Sequence, residues 1–193
     1  MTLLFASANH GKIKEIQQIL GRTFVIKELK DFGIIEELPE TGNSFQENAR
    51  QKARYVFEKT KHTVFAEDSG LCIDALKGAP GVQSAHYAGL PRKDEKNIQR
   101  VLQQLQNHPD RTAHFISVIC LIWQGTEYFF EGKIHGYIAE TPRGNKGFGY
   151  DPIFIPQGYT QSFAELPASV KNSLSHRYQA LVQLKQFLQE QLT

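Results

Sequence analysis

Cysteine is scarce in this 193-residue chain: there are two, Cys72 and Cys120, in separate apolar runs and with no CxxC spacing. That leaves no disulfide framework and no cysteine-rich zinc site, so both read as reduced core residues. A bias toward one sign of charge is lacking too. Twenty-two Lys and Arg stand against 20 Asp and Glu, a net charge of +2, with no run of five or more like charges. This argues against a nucleic-acid groove, and an anionic partner would be small and met by a local cluster. No apolar run approaches the roughly 20 residues of a membrane helix. The first residues, Met1 to Ser7, carry neither a basic leader nor a signal core, so a cytoplasmic protein without membrane association is expected. Several catalytic signatures are also missing. The seven histidines form no HExxH or HxH pair, and neither GxSxG nor GxxxxGK[ST] occurs. These absences argue against a zinc hydrolase, a serine esterase elbow and a P-loop enzyme.

What is present is an ordinary folding composition, 40% apolar and 22% charged. The chain is long enough for a substantial core, and it shows no repeat, low-complexity tract or linker, so residues 1–193 read as one domain. Leu3-Leu4-Phe5-Ala6 reads as a short buried strand. A polar turn, Ser7 to Lys12, then leads into a helix with Ile13, Ile16 and Leu20 on its inner face. A second helix opens near Ser44, where Ser44 and Glu47 have capping-box spacing, with Phe45, Ala49, Ala53 and Val56 on one face and Asn48 and Lys52 on another. Thr63 to Ala66 is expected as a strand ending at Glu67-Asp68-Ser69-Gly70. A third helix spans Asn97 to Gln106. Ala113 to Trp123 and Glu127 to Ile138 are expected to form a long antiparallel hairpin turned at Gln124-Gly125-Thr126. A glycine-rich loop follows, and a last helix starts near Ser175. The fold class is α/β with a mixed sheet.

Four polar constellations lie at element ends. In Ser7-x-Asn9-x-x-Lys12, a lysine in the first helical turn beside free backbone N–H groups makes a phosphate cradle. Its bland alternative is an Asn turn and a solvated lysine. Glu40, before Thr41-Gly42, and Asp68 come from distant segments and could share a Mg²⁺, which prefers oxygen ligands and keeps waters that a polyphosphate displaces. Taken singly, Glu40 reads as exposed and Asp68 as a turn former. Gly144 to Asp151 sets three glycines around Phe148, which suits close approach of a flat ligand and stacking on the ring. An ordinary loop with Phe148 buried fits as well. Lys171 and Ser175-His176-Arg177 place cations at the start of a helix, against its dipole, unless a ligand answers them.

Together these segments resemble the inosine triphosphate pyrophosphatase family. The similarity rests on Ser-x-Asn-x-x-Lys (7–12), Glu-Thr-Gly-x-Ser-Phe-x-Glu-Asn-Ala-x-x-Lys-Ala (40–53) and Asp-Ser-Gly-Leu (68–71). It continues through Gly-Ala-Pro-Gly-Val-x-Ser-Ala (78–85), Gly-Phe-Gly-Tyr-Asp-Pro-Ile-Phe (147–154) and Ser-His-Arg (175–177). The resemblance implies a two-lobed α/β fold with a long mixed sheet and flanking helices, a central substrate cleft and a homodimer. It implies Mg²⁺-dependent hydrolysis of a non-standard purine nucleoside triphosphate (ITP, dITP or XTP) to the monophosphate and pyrophosphate. Glu40 and Asp68 would serve the metal, and Asp68 would also act on the attacking water. Ser7, Ala8, Asn9, His10, Gly11, Lys12, Lys52 and Ser69 would line the triphosphate. Phe148, Gly149, Tyr150, Asp151, Lys171, His176 and Arg177 would surround the base. Two departures show: Ala8 stands where such sequences usually carry glycine, and Glu67 where they carry aspartate.

Overall fold

The computed structural model describes residues 1–21 and 23–192. Its strands and helices run β1 (Thr2–Phe5), α1 (His10–Leu20), β2 (Val25–Glu28), α2 (Phe45–Thr60), β3 (Val64–Ile73), α3 (Asp94–Gln104), β4 (Thr112–Trp123), β5 (Thr126–Ile138), β6 (Phe154–Pro156), α4 (Ala168–Leu174) and α5 (His176–Gln191). The strands make one sheet in the order β2-β1-β3-β4-β5-β6. β1 is parallel to both β2 and β3, whereas β5 and β6 are antiparallel, so the sheet is mixed and the α/β class holds. β4 and β5 are joined by Gln124-Gly125, both at positive φ (49° and 80°), the turn that suits the right-handed twist of a hairpin. This turn sets Trp123 opposite Thr126. The register survives to the far end, where the Ile138 N–H donates to the Arg111 carbonyl at 2.9 Å.

The chain divides into two compact units that interleave in sequence. The first comprises Met1–Asp68, Ser117–Gly132 and Arg177–Thr193, and it has two cores. On one sheet face Leu3, Phe5, Phe65, Ile119 and Leu121 pack against Ile13, Ile16 and Leu20 of α1 and Leu181, Leu184 and Leu188 of α5. The Phe5 and Phe65 rings stack at 4.9 Å. On the other face Leu4, Ala6, Val64, Ala66, Cys120 and Ile122 meet Ala49, Ala53 and Val56 of α2. Alternate strand residues enter opposite cores, which is why β1 reads as an unbroken apolar run. The second unit, Ser69–Ile116 with Lys133–His176, closes around Leu71, Ile73, Ile98, Val101, Leu105, Phe115, Ile138, Phe154 and Phe163.

Two expectations from sequence need correction, and one short helix was not foreseen. β3 does not stop at Ala66 but continues for ten residues, so Glu67-Asp68-Ser69-Gly70 lie within a strand and form no turn. Leu71 and Ile73 resume the apolar pattern beyond them, which makes a continued strand the better way to bury both ends. The Ser44 cap forms, with its hydroxyl accepting from the Glu47 N–H at 3.1 Å, but Glu47 accepts from the Asn43 N–H at 2.7 Å, one residue short of a reciprocal box. The last helix starts at His176, beside Ser175 as expected, and a short helix not foreseen, α4, precedes it and ends at Ser175, whose backbone is extended (φ −65°, ψ 157°). Among the described residues, no helix is long and apolar enough to cross a membrane.

Burial pushes the Cys120 thiol up to about 12. The unfolded chain loses this proton near its ordinary value of about 8.5 while the folded chain keeps it, so stability contributed below that value is lost as pH rises toward 12. Urea unfolding from pH 8 to pH 11 should show a steeper loss of stability in the native sequence than in Cys120→Val. Identical slopes would show that the thiol contributes nothing to the alkaline limb.

Candidate active site

The N-terminus of α1 is built by two side-chain bonds. The Ser7 hydroxyl accepts from the Asn9 N–H at 3.1 Å, and Asn9 Oδ1 accepts from the Lys12 N–H at 3.1 Å, so Asn9 is the N-cap. Ala8, Asn9 and His10 are exposed. The first-turn N–H groups of His10 and Gly11 have no carbonyl partner within the helix, the usual condition for anion binding. Lys12 follows, its ammonium 3.4 Å from Glu67 Oε2 and its side chain only 13% exposed. Burial lowers the Lys12 pKa below its ordinary value, and the Glu67 charge opposes that shift without cancelling it.

On the other face of β3, α2 presents Lys52. Its ammonium pairs with Glu40 Oε1 and lies 3.3 Å from Asp68 Oδ1. Asn48, one turn earlier, donates from Nδ2 to Asp68 Oδ2 at 3.1 Å and accepts from the Gly42 N–H at 2.8 Å. The Thr41 N–H donates to Gln51 Oε1 at 2.9 Å. The 40–42 segment is therefore stapled along α2, and a Cβ at Gly42 would lie 2.5 Å from Glu47 Cβ. Desolvation pushes the Lys52 ammonium down, but Asp68 and Glu40 outweigh it and hold the pKa above its ordinary value. Glu40 keeps 30% of its side chain open while Lys52 and Asp68 are buried. Two carboxylates thus converge on one cation, with an accessible side.

Glu67, Arg177 and Glu15 lie behind this cluster. Glu67 is 1% exposed and accepts from the Ser117 hydroxyl at 2.8 Å and from Arg177 Nε at 3.0 Å. Arg177 is 2% exposed and also pairs through Nη1 with Glu15 of α1. Glu67 and Asp68 are consecutive on a strand and so project to opposite faces, one toward α1 and α5, the other toward α2. Each face supplies its own cations, which is how adjacent buried carboxylates coexist. The sequence set Arg177 at the edge of a base. The structure commits its Nε and Nη1 to these carboxylates, as part of the charge frame. Glu15, Ser117 and Asn48 escaped notice as site residues, because periodicity alone does not tell a buried polar partner from a solvated one.

The second unit holds the other constellation. Asp151 Oδ2 accepts from the Phe148 N–H at 2.9 Å and pairs with Lys171, whose ammonium lies 5.1 Å from the centre of the Phe148 ring. Gly147 has φ 75°, and a Cβ there would sit 1.9 Å from Asp151 Oδ2, so only glycine permits this turn. The Gly149 N–H donates to Asp94 at 2.6 Å. His176 is buried and stacks on Phe115 at 4.8 Å, with an interplanar angle of 10°. Tyr150 differs from expectation: its ring joins the core and its hydroxyl donates to the Ser84 carbonyl at 2.9 Å, which leaves only its backbone for a ligand. Ser69, next to Asp68 on β3, is half-buried.

A lysine at a capped helix N-terminus, two carboxylates sharing one cation and a buried charge frame define an α/β protein equipped to hold a polyanion. Comparison with known proteins narrows the class. The Ham1 family profile matches residues 3–187, and the chain belongs to that family. The dITP/XTP pyrophosphatase of Halalkalibacterium halodurans is 48% identical over 189 residues, covering 96% of this chain and 97% of that one. The protein of the same description from Flavobacterium johnsoniae is 45% identical over 184 residues, covering 95% and 96%. Among solved structures, a HAM1 protein from Coxiella burnetii superposes with a TM-score of 0.90 at 40% identity, over 98% of this chain and 99% of that one. The Staphylococcus aureus Ham1 protein gives 0.89 at 36% identity, over 99% and 100%.

Arg177→Met removes the counter-charge of two buried carboxylates and should cost about 3–5 kcal/mol in denaturant unfolding. A loss of under about 1 kcal/mol, the scale of an ordinary surface change, would show that Glu15 and Glu67 do not depend on it.

Proposed function

We propose that this chain hydrolyses non-standard purine nucleoside triphosphates, ITP, dITP and XTP, to the monophosphate and pyrophosphate, clearing them from the pool that feeds DNA and RNA synthesis. The observation that carries this reading is the convergence of Glu40 and Asp68 on the Lys52 ammonium. It is supported by extensive similarity to relatives described as dITP/XTP pyrophosphatases.

The donor set fits Mg²⁺. Two carboxylates already accommodate a cation at Lys52, their oxygens are hard ligands, and the partly open Glu40 leaves room for waters and phosphate oxygens. When bound, Mg²⁺ would be held by Glu40 and Asp68 and would neutralise charge on the departing pyrophosphate. The chain's own residues do the rest. Asn9, Lys12 and Lys52, with the N–H groups of His10 and Gly11, hold the polyphosphate beside Ser7, Ala8 and Ser69. Phosphate arriving at Lys12 replaces solvent lost on burial and adds a second anion to the one Glu67 already provides. Asp68, steadied at Oδ2 by Asn48, orients a water in line with the α-phosphorus and takes its proton. The new bond forms from water oxygen to phosphorus as the bond to the bridging oxygen breaks, and pyrophosphate leaves with that electron pair.

For the base, Phe148 offers a stacking surface, and Asp151 and Lys171 fix the loop that carries it. A 6-keto purine accepts a hydrogen bond where adenine can only donate, so a buried donor meets a second donor in ATP and is left unpaired. His176 and nearby backbone N–H groups are the assigned donors. The family resemblance also supports a homodimer as the working assembly and the cytoplasm as its location.

Asp68→Asn should fold with unchanged circular dichroism and lose about 10²–10⁴-fold in kcat on ITP. Pyrophosphate release should be abolished by chelator and restored by Mg²⁺, with ITP and XTP cut far faster than ATP or GTP. Near-native turnover in the variant removes Asp68 from the reaction, and equal rates on all four nucleotides defeat the selectivity argument.

A further inference from the structure

We propose that His114 and His135, facing each other across the β4–β5 hairpin of the second unit, bind a borderline divalent transition-metal cation such as Zn²⁺. The first support is register. Trp123 and Thr126 flank a two-residue turn, the position that a hairpin closes with a hydrogen-bonded pair, and at the far end the Ile138 N–H donates to the Arg111 carbonyl. Pair types alternate along an antiparallel ladder. His114 and His135 are directly opposite and an odd number of steps from either pair, so they occupy a non-hydrogen-bonded position, where side chains come closest.

The second support is distance. The two ring centres are 5.5 Å apart, with planes tilted by 43°. With metal–nitrogen bonds of about 2.1 Å, and roughly 1.1 Å more to each ring centre, two imidazoles on a tetrahedral ion have centres about 5.2 Å apart. The pair therefore stands near chelating separation, and the backbone need not move. Access is the third support. Ala113 and Phe115 enter the core, which turns His114 to the opposite face of β4, and His135 is exposed. His135 also lines an open cavity of about 630 Å³ with Asp110, Thr112, Tyr137 and Gln157, so water can complete the coordination sphere. Imidazole nitrogen suits Zn²⁺, Ni²⁺ and Cu²⁺ and ranks poorly for Mg²⁺, so this site and the Glu40–Asp68 carboxylates sort cations by ligand chemistry. Lys133, two residues from His135 on the same strand, opposes a bound cation electrostatically, so binding should be moderate and chelator-reversible. Among the described residues no cluster of three or more histidine, cysteine or acidic side chains is placed to hold a metal, so this pair has no stronger preformed competitor there.

The site stands on hairpin geometry alone, independent of the proposed hydrolysis. The test is calorimetric titration of the full chain with Zn²⁺ in excess Mg²⁺, with histidine ring protons followed by NMR. The expected result is one Zn²⁺ per chain, with His114 and His135 resonances perturbed first. Binding should be lost in His135→Ala, which changes an exposed side chain and so should leave the fold intact. Equal binding in His135→Ala, earlier perturbation of other histidines, or no binding while Mg²⁺ is present would each overturn the proposal.

Discussion

The buried charges of the first unit depend on two adjacent carboxylates set in the middle of a strand. Moving a carboxylate into a protein interior costs several kcal/mol even after relaxation, and two neighbours would repel each other further. β3 tolerates them because the strand alternates. Glu67 meets Arg177, Lys12 and Ser117 on one face, and Asp68 meets Lys52 and Asn48 on the other. The two faces are also the two hydrophobic cores of that unit, so the same helices that bury the sheet deliver the counter-charges. Helices α1 and α5 bring Lys12 and Arg177, and α2 brings Lys52. Packing and electrostatics are one arrangement, and the site is what remains accessible at its edge.

The two constellations are built differently. That around Asp68 is ionic throughout, with backbone segments stapled to α2 so that Glu40 reaches Lys52. That around Phe148 is a turn locked by one carboxylate, Asp151, which takes both a backbone N–H and an ammonium and leaves no space for a side chain at position 147. The first is suited to charge. The second suits a flat ring offered beside a fixed cation.

Much of this was legible in the sequence. Strong apolar periodicity marked α1, α2 and α3, the apolar run marked β1, and Gln124-Gly125 marked the hairpin turn. The polar turn before α1 and the approach of Glu40 to Asp68 were read from residue chemistry at those positions, whereas the Asn9 cap was not. What escaped has physical reasons. β2 and β6 are too short to show a period, and α4 is a seven-residue helix. β3 was cut short because charged residues inside a strand look like its end until their partners are known. The ion pairs of Arg177 escaped because Glu15 and Glu67 are distant from it in sequence. His114 and His135 were invisible as a pair until the hairpin register set them face to face.

The interleaving of the first unit bears on its birth at the ribosome. Phe5 and Phe65 are made long before the leucines of α5 that cover them. Until then the nascent chain must carry that apolar face uncovered, and Glu15 and Glu67 wait for Arg177 as their counter-ion. Closure of this core therefore waits for the synthesis of α5. A stop codon just before Arg177 would strand both an oily surface and two buried acids, the condition that invites aggregation or quality control.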